Sequence, residues 1–249
     1  MKGRAILIAL ASVSLAAIPA VGSAAGRGIG AARGAGTGNL PTGCGHGGPA
    51  FRTHGPRGRK RIAIGFDDGP GEDTLRVLRV LRRFDSHATF FEIGQEVPGR
   101  AWIMRTVLRQ GNEIGNHSLQ HELNPSGGSL HETNRLIRNA TGFRPCDFRP
   151  PGGHVNSGLI ARAHAQRMVT VDWDVDPRDW ANPGVGAIVS NVIGHAHSGS
   201  IVVMHDGGGS RSQTVAALPA ILSNFRNRGY RFVTVAELLG HELIYPNPQ

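Results

Sequence analysis

Lysine is almost absent from this chain: of 27 Lys and Arg residues, only Lys2 and Lys60 are lysines. Aromatic residues are sparse too, at 6%, and no segment joins clustered cations to interleaved aromatics, so the formal net charge of +9 does not mark a nucleic-acid-binding surface. Cysteine occurs only at Cys44 and Cys146, and the first lies well past the N-terminal apolar segment, which argues against a lipoprotein. The His-Glu-x-x-His pattern of zinc peptidases is missing as well. The His-Glu pairs at His121, His131 and His241 have Pro125, Arg135 and Tyr245 where the second imidazole is required. No internal repeat is evident.

The N terminus has a short positive start at Met1-Lys2-Gly3-Arg4, an apolar core at residues 5–17 and a small-residue region at 19–25. This pattern reads as a signal peptide, residues 1–25. Because no charge interrupts residues 5–25, an uncleaved anchor is the competing reading; Pro19 and the Gly22-Ser23-Ala24-Ala25 run favour cleavage. Residues 26–56 are rich in Gly, lack apolar periodicity and are expected to be a flexible tether. The stretch 57–249 suffices for one well-buried domain. In an exported chain the two cysteines are expected to pair, stapling the tether to the loop before Arg149.

Within that domain short apolar runs alternate with amphipathic stretches, the pattern of strand-helix units on a parallel sheet or barrel. Strands are predicted at 61–66, 88–93, 113–116, 168–172, 200–204 and 231–233, and helices at 72–84, 102–110, 130–140 and 213–228. Asp67, Asp68, His117 and His205 then fall at strand C-termini, where such folds gather reactive groups.

Asp67 and Asp68 follow an apolar strand in Ile-Gly-Phe-Asp-Asp-Gly-Pro, residues 64–70. A turn there lets both carboxylates face one cavity, one to hold a cation and one to handle a proton, although Asp-Asp-Gly-Pro is also ordinary turn chemistry. His117 and His121, four positions apart, fall on one side of a helical turn and can share a metal. Three further segments follow: Arg149-Pro-Pro-Gly-Gly153, Asp176-Pro-Arg-Asp-Trp180 and Val203-Met-His-Asp206.

In this order and spacing the segments resemble the five motifs of the polysaccharide deacetylase family, the NodB-homology or carbohydrate esterase family 4 domain, over roughly residues 61–239. The resemblance implies a distorted (β/α) barrel of about seven parallel strands forming a single catalytic domain. It implies a metal triad of Asp68, His117 and His121 around one divalent ion, zinc by preference, with cobalt, manganese or nickel as alternatives. Asp67 matches the general base that activates water, Arg149 the residue orienting it, His205 the general acid, and Asp179, ahead of Asp176, the partner of His205. The Gly152 N–H matches an oxyanion donor.

This chain departs from the family pattern at three places. Gly65 replaces Thr, a change expected to matter little; Gly152 replaces a frequent Tyr, removing a wall of the sugar site; Val203 replaces Leu conservatively. Trp180, directly after Asp179, is the better sugar-stacking candidate of Trp173 and Trp180. The Gly207-Gly208-Gly209 run reads as either a hinge or room for a glycan.

The expected protein is a secreted or wall-associated monomer, not membrane-inserted after cleavage, that binds no nucleic acid and removes acetyl groups from N-acetylglucosamine units of peptidoglycan or chitin-type glycans. An acetylxylan esterase on the same site and an inactive wall-binding protein are the alternatives. The arginine excess reads equally as a coding bias and as affinity for anionic wall polymers.

Overall fold

Ile62, Ala63, Ile64 and Phe66 are all fully buried, the continuous apolar run that a strand covered on both faces requires. They belong to the strand around which the sheet is organised. The structure, a computed structural model, describes residues 39–45 and 49–245; the expected signal peptide lies outside them. In chain order the elements are β1 (Gly43–Cys44), β2 (Phe51–Arg52), β3 (Arg61–Gly69), α1 (Thr74–Arg83), β4 (Thr89–Glu92), α2 (Ala101–Arg109), β5 (Glu113–Asn116), α3 (Gly127–Thr141), β6 (Asp147–Phe148), α4 (Ser157–Ala165), β7 (Val169–Val171), α5 (Val185–His195), β8 (Ile201–His205), α6 (Ser212–Asn227), β9 (Arg231–Val233), α7 (Val235–Leu239) and β10 (Leu243–Ile244).

The main sheet runs β2-β7-β6-β5-β4-β3-β8, with β9 added along the first residues of β3, and every pairing in it is parallel. A bridge between Val175 and Val202 brings the segment after β7 against β8, so the sheet curls into a distorted (β/α) barrel. The path has seven strands, and β9 makes an eighth. Helices cover the outside. α1 shows why: Val77, Leu78 and Leu81 face the core at helical spacing, while Arg76, Arg79, Arg82 and Arg83 face solvent. α3 starts on Ser126, whose side chain accepts the Ser129 N–H, and stops at Gly142, where φ is 79°.

Two expectations change. The tether does not extend to residue 56, because Phe51–Arg52 pairs with β7 and His54 bridges Ser200; Phe51 and Arg52 supply backbone hydrogen-bonding groups to a strand edge despite their Gly-rich surroundings. Helices α4, α5 and α7 were not anticipated. α5 reads Val-Gly-Ala-Ile-Val-Ser-Asn-Val-Ile-Gly-His, whose β-branched residues and glycines obscure a helix that buries Ile188 and Val192. Among the described residues no helix is long and apolar enough to cross a membrane.

Cys44 on β1 and Cys146, directly before β6, form a disulfide with Cα atoms 6.0 Å apart. β1 pairs antiparallel with β10, so the bond ties a two-stranded ribbon to the strand that leads into Arg149. Closing a loop of this length stabilises by about 4–5 kcal/mol in the chain-entropy model. The Cys44→Ser/Cys146→Ser variant should therefore unfold at lower denaturant by roughly that free energy, measured against the oxidised protein, which should titrate no free thiol.

Candidate active site

The site begins with an irregularity in β3. Asp67 pairs with Phe91 and Gly69 with Glu92, so Asp68 is an extra residue, a β-bulge with φ of 71°. A regular strand would send neighbouring side chains to opposite faces. The bulge turns both carboxylates toward the strand's C-terminal end, the task expected of a turn. The left-handed backbone is tolerable because Asp is among the side chains that adopt it most readily.

His117 follows β5 and is buried, with its Nδ1 2.8 Å from the Arg149 carbonyl oxygen. A donated Nδ1–H leaves Nε2 as a lone pair, 3.5 Å from Asp68 Oδ1. His121 Nε2 lies 3.4 Å from the same oxygen. The two histidines do not share a helical turn: residues 117–126 are a loop in which Ser118 (φ 66°) and His121 (φ 60°) are left-handed. Asn116 and Ser118 side chains accept loop N–H groups from Ser118 and Glu122, and these bonds replace helical ones.

This donor set fits a divalent ion. One ligand atom each from Asp68, His117 and His121 all lie within 4.8 Å of one another, and the buried Asp68 Oδ1 has no hydrogen-bond partner. Burial pushes the Asp68 carboxyl up, but the adjacent imidazole of His117, with the charges of His205 and His121, outweighs it and brings the value to about 2. Burial and the neighbouring His117 push His121 below the ordinary imidazole value. Both directions favour the protonation states that bind metal.

Beside the triad, Arg149 is fully buried and donates from Nη1 to Asp67 Oδ1 at 2.8 Å. Its guanidinium lies over the Phe91 ring at 4.1 Å, and on β3 it occupies the place of a missing side chain. A Cβ at Gly65 would sit 2.2 Å from Nη1, 2.6 Å from Nη2 and 2.7 Å from Cζ. The Gly65 departure therefore matters, because glycine makes the space through which Arg149 reaches Asp67.

On the other side, His205 ends β8 in register with Asp67. Asp179 is fully buried, accepts the His205 N–H at 2.9 Å, and lies 2.8 Å from its Nδ1. Thr214 Oγ1 also donates to Asp179, at 2.6 Å. Burial alone would lower the His205 value, but Asp179 and the charges of Asp67 and Asp68 raise it above the ordinary one. Asp176 instead accepts the Arg178 N–H, closing a local turn.

Gly152 lies in the turn after Arg149. Gly153 and His154 donate to Pro150 and Pro151 carbonyls, leaving the Gly152 N–H outside both bonds. The flank where a Gly152 side chain would stand is bordered by His154 and Leu123, within 3.3 and 3.4 Å of a modest Cβ. Trp180 is 47% exposed, with the Arg178 guanidinium 5.2 Å over its ring. Trp173 instead packs near Gly153 and Arg149.

Several supporting residues carried no signal in the sequence. Arg211 donates to the Gly207, Gly208 and Trp180 carbonyls and so fixes the glycine run. That run is neither a hinge nor glycan space at its start: a Cβ on Gly207 would lie 1.8 Å from the Asp68 carbonyl oxygen, and one on Gly208 2.6 Å from Asp68 Oδ2. Asp206 and Glu92 bracket Gly69; burial pushes Asp206 up to about 7 and Glu92 well above the usual carboxylate range.

A family model described as polysaccharide deacetylase matches residues 54–171. The peptidoglycan-N-acetylglucosamine deacetylase of Bacillus cereus is 46% identical over 196 residues, 75% of this chain and 92% of that protein. The chitooligosaccharide deacetylase of Sinorhizobium fredii is 34% identical over 191 residues, 70% of this chain and 89% of that protein. Some longer relatives are matched over only 39–40% of their length. Among solved structures, the Bc1960 peptidoglycan N-acetylglucosamine deacetylase aligns with a TM-score of 0.75 and 28% identity, over 78% of this chain and 95% of that one.

Gly65→Ala should destabilise the fold by about 1–3 kcal/mol in urea titration, the usual range for overpacking. The same change in an Arg149→Met background should cost close to nothing. Equal costs in both would show that the guanidinium does not fill this space.

Proposed function

The chain belongs to the polysaccharide deacetylase family, and on that premise we propose that it is a secreted, metal-dependent hydrolase removing N-acetyl groups from N-acetylglucosamine-containing glycans of the peptidoglycan or chitin-oligosaccharide type. One observation carries the reading: Asp68, His117 and His121 converge with Asp67–Arg149 on one side and His205–Asp179 on the other. A fold alone would not supply these three functions together.

An amide resists hydrolysis because its carbonyl is a weak electrophile and its amine a poor leaving group. The triad would hold the ion, which when bound polarises the acetyl carbonyl and lowers the pKa of water. Asp67 takes the proton of the attacking water. Arg149 orients that carboxylate by its hydrogen bond to Oδ1, leaving Oδ2 on the side of His117. The Gly152 N–H receives the developing oxyanion, and a donor of this kind is typically worth about 3 kcal/mol of the barrier.

His205 then protonates the departing nitrogen through Nε2, since Nδ1 is engaged by Asp179. That carboxylate fixes the tautomer and keeps the imidazole protonated to higher pH. Leu123, His154 and Trp180 would border the sugar, with His154 and Leu123 forming the wall that Gly152 does not provide. Relatives named for peptidoglycan and for chitooligosaccharides support the glycan class.

Acetate release should be seen from peptidoglycan or chitooligosaccharides. Release from acetylxylan alone would make the protein an esterase, and glycan binding without release after metal reconstitution would make it an inactive binder. Asp67→Asn should retain bound ion by elemental analysis while losing turnover; His121→Ala should lose both.

The pH–rate profile supplies a second test. Because His205 acts protonated and Asp179 raises its value, activity should persist above the ordinary imidazole range and fall as pH rises past it. Asp179→Asn should move that basic limb to lower pH. An unmoved limb would remove His205 from the acid role.

A further inference from the structure

Among the described residues, the cations that form no ion pair with a carboxylate are not spread evenly over the barrel. β3 begins at Arg61 and β9 at Arg231, while α1 ends at Arg83 and α6 at Asn227; these termini lie together because parallel strands start where the preceding helices stop. Arg59, Lys60, Arg226, Arg228 and Arg231 are all exposed there. They are contiguous: Lys60 Nζ donates to the Arg228 carbonyl at 3.0 Å, and the Arg231 N–H donates to the Lys60 carbonyl at 2.9 Å. Arg82 and Arg83 extend the group along α1, and His87, four residues past the end of that helix, donates its N–H to the Phe232 carbonyl. The bordering carboxylates are Asp85 and Glu237, and Glu237 is paired with Arg61 at 3.8 Å.

Placement at helix C-termini stabilises Arg82, Arg83, Arg226 and Arg228 through the helix dipole. It does not account for Arg59, Lys60 and Arg231, which sit on loops or at a strand start. The metal-binding carboxylate and the groups around it occupy the opposite ends of these strands. From Arg61 to Asp68 the strand rises about 20 Å. An anion held at the strand starts would leave the catalytic mouth open.

We propose that this basic end is a docking surface for a linear phosphodiester polymer of the cell wall, holding the enzyme with its mouth directed away from the anchor. Five or more exposed cations, outnumbering the two bordering carboxylates, suit a flexible chain of evenly spaced phosphates, which gains affinity by counterion release. A bilayer fits less well, because none of the exposed large apolar side chains belongs to the cluster. Single-stranded nucleic acid fits less well too. The rings among these cations are already covered: Tyr230 is half-buried beneath Lys60 and Arg228, 5.8 and 5.4 Å from its centre, Phe84 is half-buried beneath Arg83 at 5.9 Å, and Phe225 is buried.

The test is fluorescence-anisotropy binding of the full chain to purified poly(glycerol phosphate), with DNA and phosphatidylglycerol vesicles as parallel arms. Raising salt from about 50 to about 200 mM should weaken binding to the polymer roughly 100-fold. Arg226→Glu/Arg228→Glu/Arg231→Glu should bind at least about tenfold more weakly, with a shallower salt slope and unchanged acetate release from a short neutral oligosaccharide. Should that variant not fold, the single Arg231→Glu substitution, at an exposed strand start, should still reduce the slope by about one phosphate. Polymer binding that is unaffected by these substitutions overturns the proposal, as does tighter binding to DNA or to vesicles.

Discussion

The bulge at Asp68 places two consecutive carboxylates at one end of the sheet, and every other group in the site is arranged around the different positions they take. Asp67 stays in register with Phe91 and His205, so it inherits the rigidity of the central strand and meets Arg149 inside the barrel. Asp68 is displaced from the ladder and meets the two histidines. Without the extra residue one of these carboxylates would point into the helical layer, and neither proton handling nor cation binding would have its partner nearby.

Holding an ionic group beneath a catalytic floor is costly unless it is paired, and the barrel interior shows how the cost is limited. The Arg149 guanidinium is buried between the Phe91 ring and the bare backbone of Gly65, with one hydrogen bond to Asp67. Phe91 in turn leans toward Gly115, where a Cβ would come within 2.4 Å of the ring. Two glycines on β3 and β5 thus give up side-chain volume so that an aromatic and an arginine can stack between them. Asp172, raised to about 6 by burial, lies within the electrostatic reach of the same guanidinium.

The candidate site was legible in the sequence because each of its groups sits in a short contiguous segment whose residue types carry their own meaning: adjacent aspartates, spaced histidines, a histidine closing a strand. The strands at 113–116 and 231–233 were legible to the residue, since each follows closely on a glycine turn, at Gly111 and at Gly229. The remainder depends on contacts distant in sequence. A two-residue strand such as β6 has no periodicity to read, and only its neighbours β5 and β7 make it a strand. The volume of Gly65 has meaning only once Arg149, 84 positions later, is known to arrive there. The loop from His117 to His121 imitates helical spacing, while its left-handed residues are set by side-chain hydrogen bonds that spacing does not encode.

Antiparallel pairing of Gly43–Cys44 with Leu243–Ile244 brings the first and last strands of the described chain side by side. Between these two strands the described chain therefore traces a nearly closed ring, and its connectivity is separable from its architecture. A short peptide joining these neighbouring strands, with new ends opened in an exposed loop far from Asp68, His117 and His121, would give a circular permutant that keeps every strand neighbour and the covalent cross-link.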